Sequence, residues 1–88
     1  MKLVFAEPFK KDYEDLPAKV RNALDKALVF LITSPRHPSL RAKKLPSTEI
    51  WYARVSRSYR FTFQHAGDFI ILRRVGTHDI LQRERQRQ

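Results

Sequence analysis

Residues 59–79, YRFTFQHAGDFIILRRVGTHD, decide the fold of this 88-residue chain. Two runs within it, 59–64 and 69–75, are rich in aromatic and β-branched residues, and the segment 65–68 between them ends in a Gly-Asp pair typical of a turn. The pattern predicts two antiparallel strands. Arginines occur in both strands and a histidine follows the second, so these groups are expected to meet at one edge of a sheet.

The preceding sequence predicts a strand at residues 2–5, two helices, and another strand at residues 50–56. Pro8 suits the first turn of the first helix, and Pro17 ends that helix and can open the second. The second helix ends at Ser34-Pro35 and carries one apolar stripe, formed by Val20, Leu24, Ala27, Leu28 and Leu31. The predicted order is β-α-α-β-β-β, an α+β fold in which a helical hairpin packs on a small, mainly antiparallel sheet.

Residues 35–48 and the C-terminal end lack a clear period. The first segment combines three prolines with basic side chains and predicts a long loop, a candidate arm for contacting a substrate. The polar residues 82–88 predict a flexible tail. Length and composition indicate one domain over residues 1–88.

The composition limits the possible settings and partners. The chain has no cysteine, no signal-peptide pattern and no apolar run long enough to span a membrane, so we expect a cytoplasmic protein without a membrane partner. Of its net charge of +9, +8 lies in residues 36–88. That asymmetry indicates a polyanionic partner, although charge alone fits a merely soluble basic protein or one neutralised by an acidic protein equally well.

Strand alternation predicts where the cationic side chains lie. Tyr59, Phe61 and Phe63 are expected to face the helices, which puts Arg60 on the face that the two helices leave uncovered. In the preceding strand the same argument puts Tyr52 and Arg54 on that face, beside Arg60. Arg73 and Arg74 are consecutive and must face opposite sides, so at most one of them joins this face, and the alternation does not settle which.

These residues are suited to cutting RNA. Attack by the 2′-hydroxyl needs a proton acceptor, a proton donor and positive charge for the phosphorane-like transition state, and it needs no metal. His78 is the candidate proton-transfer group and Arg60 the candidate phosphate ligand, while Arg41, Lys43 and Lys44 form either a backbone-phosphate contact or a solvated loop. His37 is either a second proton-transfer group or a loop side chain. With two glycines in the chain and no metal-ligand spacing, we expect no cofactor and no metal.

The element order, the strand 59–61 and the closing residues 73–79 together resemble the RelE/ParE superfamily of bacterial type II toxins, and most closely its YafQ-like branch. The likeness spans nearly the whole chain. It implies a RelE-like microbial RNase fold and a metal-independent endoribonuclease, or mRNA interferase, that enters the ribosomal A site, cuts mRNA and inhibits translation. It also implies a cognate antitoxin and a toxin–antitoxin hetero-oligomer.

Particular positions carry this resemblance. Arg60 matches the arginine that RelE-like toxins place on the scissile phosphate, and His78 falls where YafQ-like toxins have a catalytic histidine. His37-Pro38 resembles another motif of that branch. Arg54 stands where the YafQ-like strand has a histidine, and we assign it to the catalytic set with Arg60, His78 and His37. Tyr52, Arg73 and Arg74 complete the predicted RNA-binding set with Arg41, Lys43 and Lys44.

The chain departs from the family pattern at four positions. RelE has a lysine pair that would fall near Ile50 and Tyr52, but this strand has no lysine. An acidic residue of the family is replaced by Ser58, and no aromatic residue follows Leu81. The identity of the general base therefore stays open.

Two other functions fit the same fold. A ParE-like protein would inhibit DNA gyrase and cut nothing, and an RNA-binding module would bind without cleavage. The pairing of Arg60 with His78 favours the ribonuclease. In each case an acidic amphipathic helix or strand would mask the cationic face, so we expect an acidic antitoxin as the partner.

Overall fold

The structure is a computed structural model and describes residues 2–86. Its strands are β1 (Lys2–Phe5), β2 (Lys43–Lys44), β3 (Trp51–Arg54), β4 (Tyr59–Ala66) and β5 (Phe69–Thr77). Its helices are α1 (Glu7–Glu14), α2 (Ala18–Thr33) and α3 (Asp79–Gln86), and a short 3-10 turn spans Pro38–Leu40. The predicted α+β fold, a helical hairpin on a mainly antiparallel sheet, is confirmed.

The five strands form one sheet in the order β1-β5-β4-β3-β2. β1 runs parallel to β5, and the helices α1 and α2 and the strands β2, β3 and β4 lie between these two strands in the sequence. The other neighbouring pairs are antiparallel. The longest pairing joins β4 to β5, the two strands that residues 59–79 predict.

The core lies between the helical hairpin and one face of the sheet. The predicted stripe of α2 is buried at Leu24, Ala27, Leu28 and Leu31, and α1 contributes Phe9, which is 1% exposed. On the sheet side the buried residues include Phe61, Phe63, Ile70, Leu72 and Val75. The predicted alternation of β4 is therefore correct at Phe61 and Phe63, whose side chains face the helices.

A β-bulge interrupts the β4–β5 pairing at Arg73. Thr62 is paired with Arg74 and Phe63 with Leu72, so Arg73 has no opposite residue on β4. The Thr62 hydroxyl, fully buried, accepts a hydrogen bond from the backbone N–H of Arg74 at 3.0 Å. Without the bulge, Leu72 and Arg74 would face the same side of the sheet, because they are two residues apart. The extra residue turns Leu72 to the core instead.

The predicted flexible tail is wrong for residues 82–86, which belong to α3, and residues 87 and 88 lie outside the described part of the chain. Glu84 of α3 is 2% exposed and accepts from Arg73 Nε at 2.7 Å. A Cβ at Gly76 would lie 2.9 Å from Cγ2 of Ile80, so α3 packs directly on β5 at the glycine. The face predicted to be open is thus partly covered by α3.

The predicted loop at residues 35–48 contains more order than its composition indicates. The 3-10 turn and β2 lie within it, and Leu40, Leu45 and Thr48 are buried. The Thr48 hydroxyl bonds the carbonyl of Leu45 at 2.9 Å and accepts from the N–H of Ile50 at 3.0 Å. Between residues 2 and 86, no helix has both the length and the apolar character that crossing a membrane requires.

Candidate nucleic-acid interface

Arg54 and Arg60 lie opposite each other where β3 and β4 pair. Arg60 Nη1 donates to the carbonyl oxygens of Ser56 at 2.7 Å and of Tyr59 at 2.8 Å, with a longer contact of 3.4 Å to Arg57. These bonds hold the half-buried guanidinium at the β3–β4 connection. Its Nε and Nη2 make no hydrogen bond to other described residues, so one edge of the planar group remains available for a bidentate acceptor.

The surroundings of Arg60 are strongly cationic. Burial lowers the pKa of Arg60, and the positive charge of Arg54 lowers it further, with a smaller lowering from Arg41 and a small opposing effect from Tyr52. An arginine still remains charged at neutral pH. Like charges held together at a partly buried point are unfavourable until an anion binds between them, which is typical of a phosphate site.

His78 lies at the same end of the sheet as Arg60. Gly76 is the residue opposite Arg60, and His78 follows two residues later, exposed between β5 and α3. It lines a surface hollow together with Tyr52 of β3 and with Gln82 and Arg85 of α3. Arg54 and Arg60 do not line this hollow, so the structure brings His78 to their end of the sheet but not into one hollow with them.

His37 does not line that hollow. Its Nδ1 accepts the N–H of Ser39 at 3.2 Å and lies 2.7 Å from the Ser39 hydroxyl, and its ring stacks on Phe30 of α2 with centroids 4.0 Å apart. These contacts make His37 the N-cap of the 3-10 turn. The structure therefore gives His37 a role in fixing the turn, whereas its predicted part in proton transfer stays a prediction.

The predicted RNA-binding residues are divided among different places. Arg41 ends the 3-10 turn in a left-handed conformation with φ of +47°, close enough for its charge to affect Arg60. Lys43 is the β2 residue opposite Tyr52. Lys44 forms an exposed ion pair with Glu49 at 3.4 Å.

Arg73 and Arg74 diverge because of the bulge, and both are paired with acids. Arg73 lies on the α3 side and bonds Glu84 and Gln64. Arg74, which is paired with Thr62 on β4, extends to Asp12 of α1, where its fork meets the carboxylate at 2.7 and 3.1 Å, and this hydrogen-bonded pairing raises the pKa of Arg74. The guanidinium of Arg74 is thus held by Asp12, and its predicted contact with RNA stays a prediction.

Sequence reasoning missed Gln82 and Arg85 because it treated their segment as a tail. The available signal was the spacing of Ile80 and Glu84, which are four residues apart and therefore on one face of a helix. A glutamate is not expected at a core position, so the spacing of Ile80 and Glu84 is a weak signal for a buried helix face. Among residues 2–86, no three His, Cys, Asp or Glu side chains come together as a group that would hold a metal ion.

Comparison with known proteins gives matches in structure only. No family model and no curated protein matches the sequence. A YoeB/ParE toxin from Agrobacterium tumefaciens is 19% identical with a TM-score of 0.75, covering 89% of this chain and 99% of that one. YafQ from E. coli strain BL21(DE3) is 20% identical with a TM-score of 0.74, covering 91% and 96%.

The intact E. coli RelBE toxin-antitoxin complex contains a chain that is 26% identical, with a TM-score of 0.69 and coverage of 86% of this chain and 94% of that one. The solved structures that this chain resembles are thus toxins of toxin–antitoxin systems. The predicted resemblance is confirmed at the level of the fold.

Proposed function

The chain has the fold of the RelE/ParE superfamily of toxins, and from this premise we propose that it is the toxin of a type II toxin–antitoxin system. We further propose that it is a metal-independent endoribonuclease that cuts mRNA in the ribosomal A site. The observation that carries the ribonuclease proposal is the meeting of Arg54 and Arg60 at the end of the sheet where His78 leaves β5.

In the proposed reaction Arg60 binds the scissile phosphate through the edge of its guanidinium that makes no hydrogen bond to the other described residues. The carbonyl bonds to Nη1 hold this edge in place before the substrate arrives, which reduces the entropy lost on binding. Arg54 adds a second positive charge. As the 2′-oxygen bonds to phosphorus and the bond to the 5′-oxygen breaks, charge builds on the phosphoryl oxygens, and both arginines stabilise it.

His78 is the proposed proton-transfer group. The 2′-hydroxyl loses its proton as it attacks, and the departing 5′-oxygen gains one, so the reaction leaves a 2′,3′-cyclic phosphate and a 5′-hydroxyl. An exposed histidine is able to give or take a proton near neutral pH. Tyr52, in the same hollow as His78, is positioned to contact the ribose or base.

A cognate acidic antitoxin is the proposed partner in the cytoplasm. The net charge of +9 gives the chain a strong attraction for an acidic protein. RelB and DinJ accompany the toxins in several of the similar solved structures. Binding to an acidic neighbouring gene product that weakens at high salt is expected, and a lack of any such binding would contradict this part of the proposal.

The test is induced expression of the native chain, Arg60→Ala and His78→Ala, with primer extension on a translated message. Arg83→Ala is the matched control, because Arg83 is an exposed arginine on α3. We expect growth arrest and cuts within codons for the native chain and the control, and loss of both in the two site variants. Arrest without mRNA cuts would instead support a ParE-like gyrase inhibitor, and RNA binding without arrest would support a non-catalytic module.

A further inference from the structure

A cavity lies on the helical-hairpin side of the sheet, away from His78. Its volume is 600 Å³, within the range of small-molecule sites. Its walls come from the end of α2, the segment at residues 35–42 and the strands β3, β4 and β5. The proposed cleavage reaction does not use this cavity.

The floor of the cavity is aromatic. The rings of Trp51 and Phe63 lie 23° from parallel with centroids 6.4 Å apart. His65 meets both rings edge-on, at 6.0 Å from Trp51 and 5.8 Å from Phe63. Trp51 is only partly buried, so a flat ring that entered the cavity would find an indole available for stacking.

The rim of the cavity is cationic. Arg36 and Arg41 are exposed and both line it, and none of its lining residues is acidic. Arg41 adopts a left-handed conformation, which is unfavourable for a non-glycine residue and persists where neighbouring structure fixes it. This conformation ends the 3-10 turn at a position where Arg41 faces the cavity and is also near the Arg54–Arg60 pair.

We propose that this cavity binds one nucleotide, with the base stacked on Trp51 and the phosphate held by Arg36 and Arg41. An aromatic floor with a cationic rim matches a base joined to a phosphate. An acidic peptide would bind to the cationic rim but would gain little from the flat aromatic floor. Assignment of this nucleotide to the RNA strand rests on the proposed function. Arg41 then links the cavity to the cleavage site, because it lines the cavity and its charge also acts on Arg60.

Fluorescence of the native protein provides a direct test, because Trp51 is the only tryptophan of the chain. AMP, adenosine, inorganic phosphate, a short non-cleavable RNA and an acidic peptide are titrated separately. We expect saturable quenching by AMP and by the RNA, with the RNA binding more tightly if the cavity takes a nucleotide of a strand. Adenosine should bind more weakly than AMP, and phosphate alone should not quench.

Arg36→Ala is the test variant and Arg83→Ala the matched control, because both arginines are exposed and Arg83 lies on α3 outside the cavity. Loss of one exposed phosphate contact is expected to weaken AMP binding roughly three- to fivefold in Arg36→Ala, with no change in the control. The same weakening of AMP binding in both variants would show that it comes from the lower net charge alone, which would overturn the proposal.

The remaining outcomes separate this proposal from the proposed function. Quenching by the acidic peptide but not by AMP would overturn the nucleotide site in favour of a protein-docking site. Absence of quenching in a protein that still cuts mRNA would overturn the nucleotide site and leave the ribonuclease intact. Quenching by AMP in a protein that cuts nothing would support the site and refute the ribonuclease.

Discussion

Asp12 of α1 connects the helical hairpin to the bulge of β5 through three hydrogen bonds. Its carboxylate accepts from Arg74 Nε at 2.7 Å, from Arg74 Nη2 at 3.1 Å and from the backbone N–H of Val75 at 3.1 Å. The side chains of Asp12 and Arg74 are only 18% and 21% exposed. Asp12→Asn keeps the shape of the side chain but removes its charge and turns one acceptor into a donor that faces the arginine.

The expected cost follows from this geometry. Removing one partner of a fully buried ion pair costs about 3–5 kcal/mol, whereas an exposed pair contributes about 0–1 kcal/mol. With about a fifth of each side chain exposed, we expect Asp12→Asn to lower the free energy of unfolding by about 2–3 kcal/mol. At a urea m-value of about 1 kcal/mol per M, the unfolding midpoint then falls by about 2–3 M.

Urea unfolding followed by circular dichroism measures this shift, and Asp15→Asn is the matched control. Asp15 is an exposed aspartate at the C-cap of the same helix, and its side chain makes no hydrogen bond to other described residues. Its replacement is expected to move the midpoint by less than about 0.5 M. Equal shifts in the two variants would refute the reasoning. So would an undiminished cost of Asp12→Asn in an Arg74→Met background, because the pair would then not be its source.

Further predictions concern α3 and the helical hairpin. Gly76→Ala puts a methyl group 2.9 Å from Cγ2 of Ile80, so we expect calorimetry to show a loss of about 1–3 kcal/mol, and an unchanged Tm would contradict this. Glu84→Gln removes the negative charge that pairs with Arg73 on β5, so amide exchange should become faster in α3 than in the other helices. Unchanged exchange in α3 would contradict a stabilising role of this pair. The hydrogen bond to Asp25 raises the pKa of Tyr13, so the folded state favours the neutral phenol. The stabilisation by this hydrogen bond is complete below the ordinary tyrosine pKa of about 10 and is lost as pH rises through the higher pKa of the folded state. Tyr13→Phe should therefore lose less stability in alkali than the native chain does. Identical alkaline profiles would exclude this contribution.

Local periodicity predicted the larger elements because each repeats a signal several times. The stripe of α2 at Leu24, Leu28 and Leu31 and the alternation of Phe61 and Phe63 in β4 are both found as expected. Because these side chains are apolar, they are expected to be buried whichever neighbours they pack against. The fold was therefore predictable where burial follows hydrophobicity.

Burial of charged groups is where the sequence was misleading. Glu84 is 2% exposed because Arg73 neutralises it, and this pairing depends on residues eleven positions apart that only the folded chain brings together. The segment at 82–86 consequently reads as polar and flexible although it is helical. The stacking of His37 on Phe30 was hidden for a similar reason, since this contact depends on how the chain leaves α2.

The bulge also explains why the two consecutive arginines could not be assigned to faces from the alternation of residues. Regular pairing beyond Thr62 would place Leu72 on the side of the sheet that α3 covers, and the extra residue restores it to the core. Arg74 keeps its pairing with Thr62, and its side chain meets Asp12 of α1.

Asp12 thus supports the candidate site through β5. By bonding both Arg74 and the N–H of Val75, it fixes the stretch of β5 that leads to Gly76, the residue opposite Arg60. His78 begins only two residues later, so any shift of this stretch moves the histidine relative to the arginines. Because a displacement of about 1 Å at a catalytic group can reduce a rate by about two orders of magnitude, Asp12→Asn should lower cleavage even where the protein remains folded. Full cleavage by a folded Asp12→Asn protein would show that the position of His78 does not depend on the bulge.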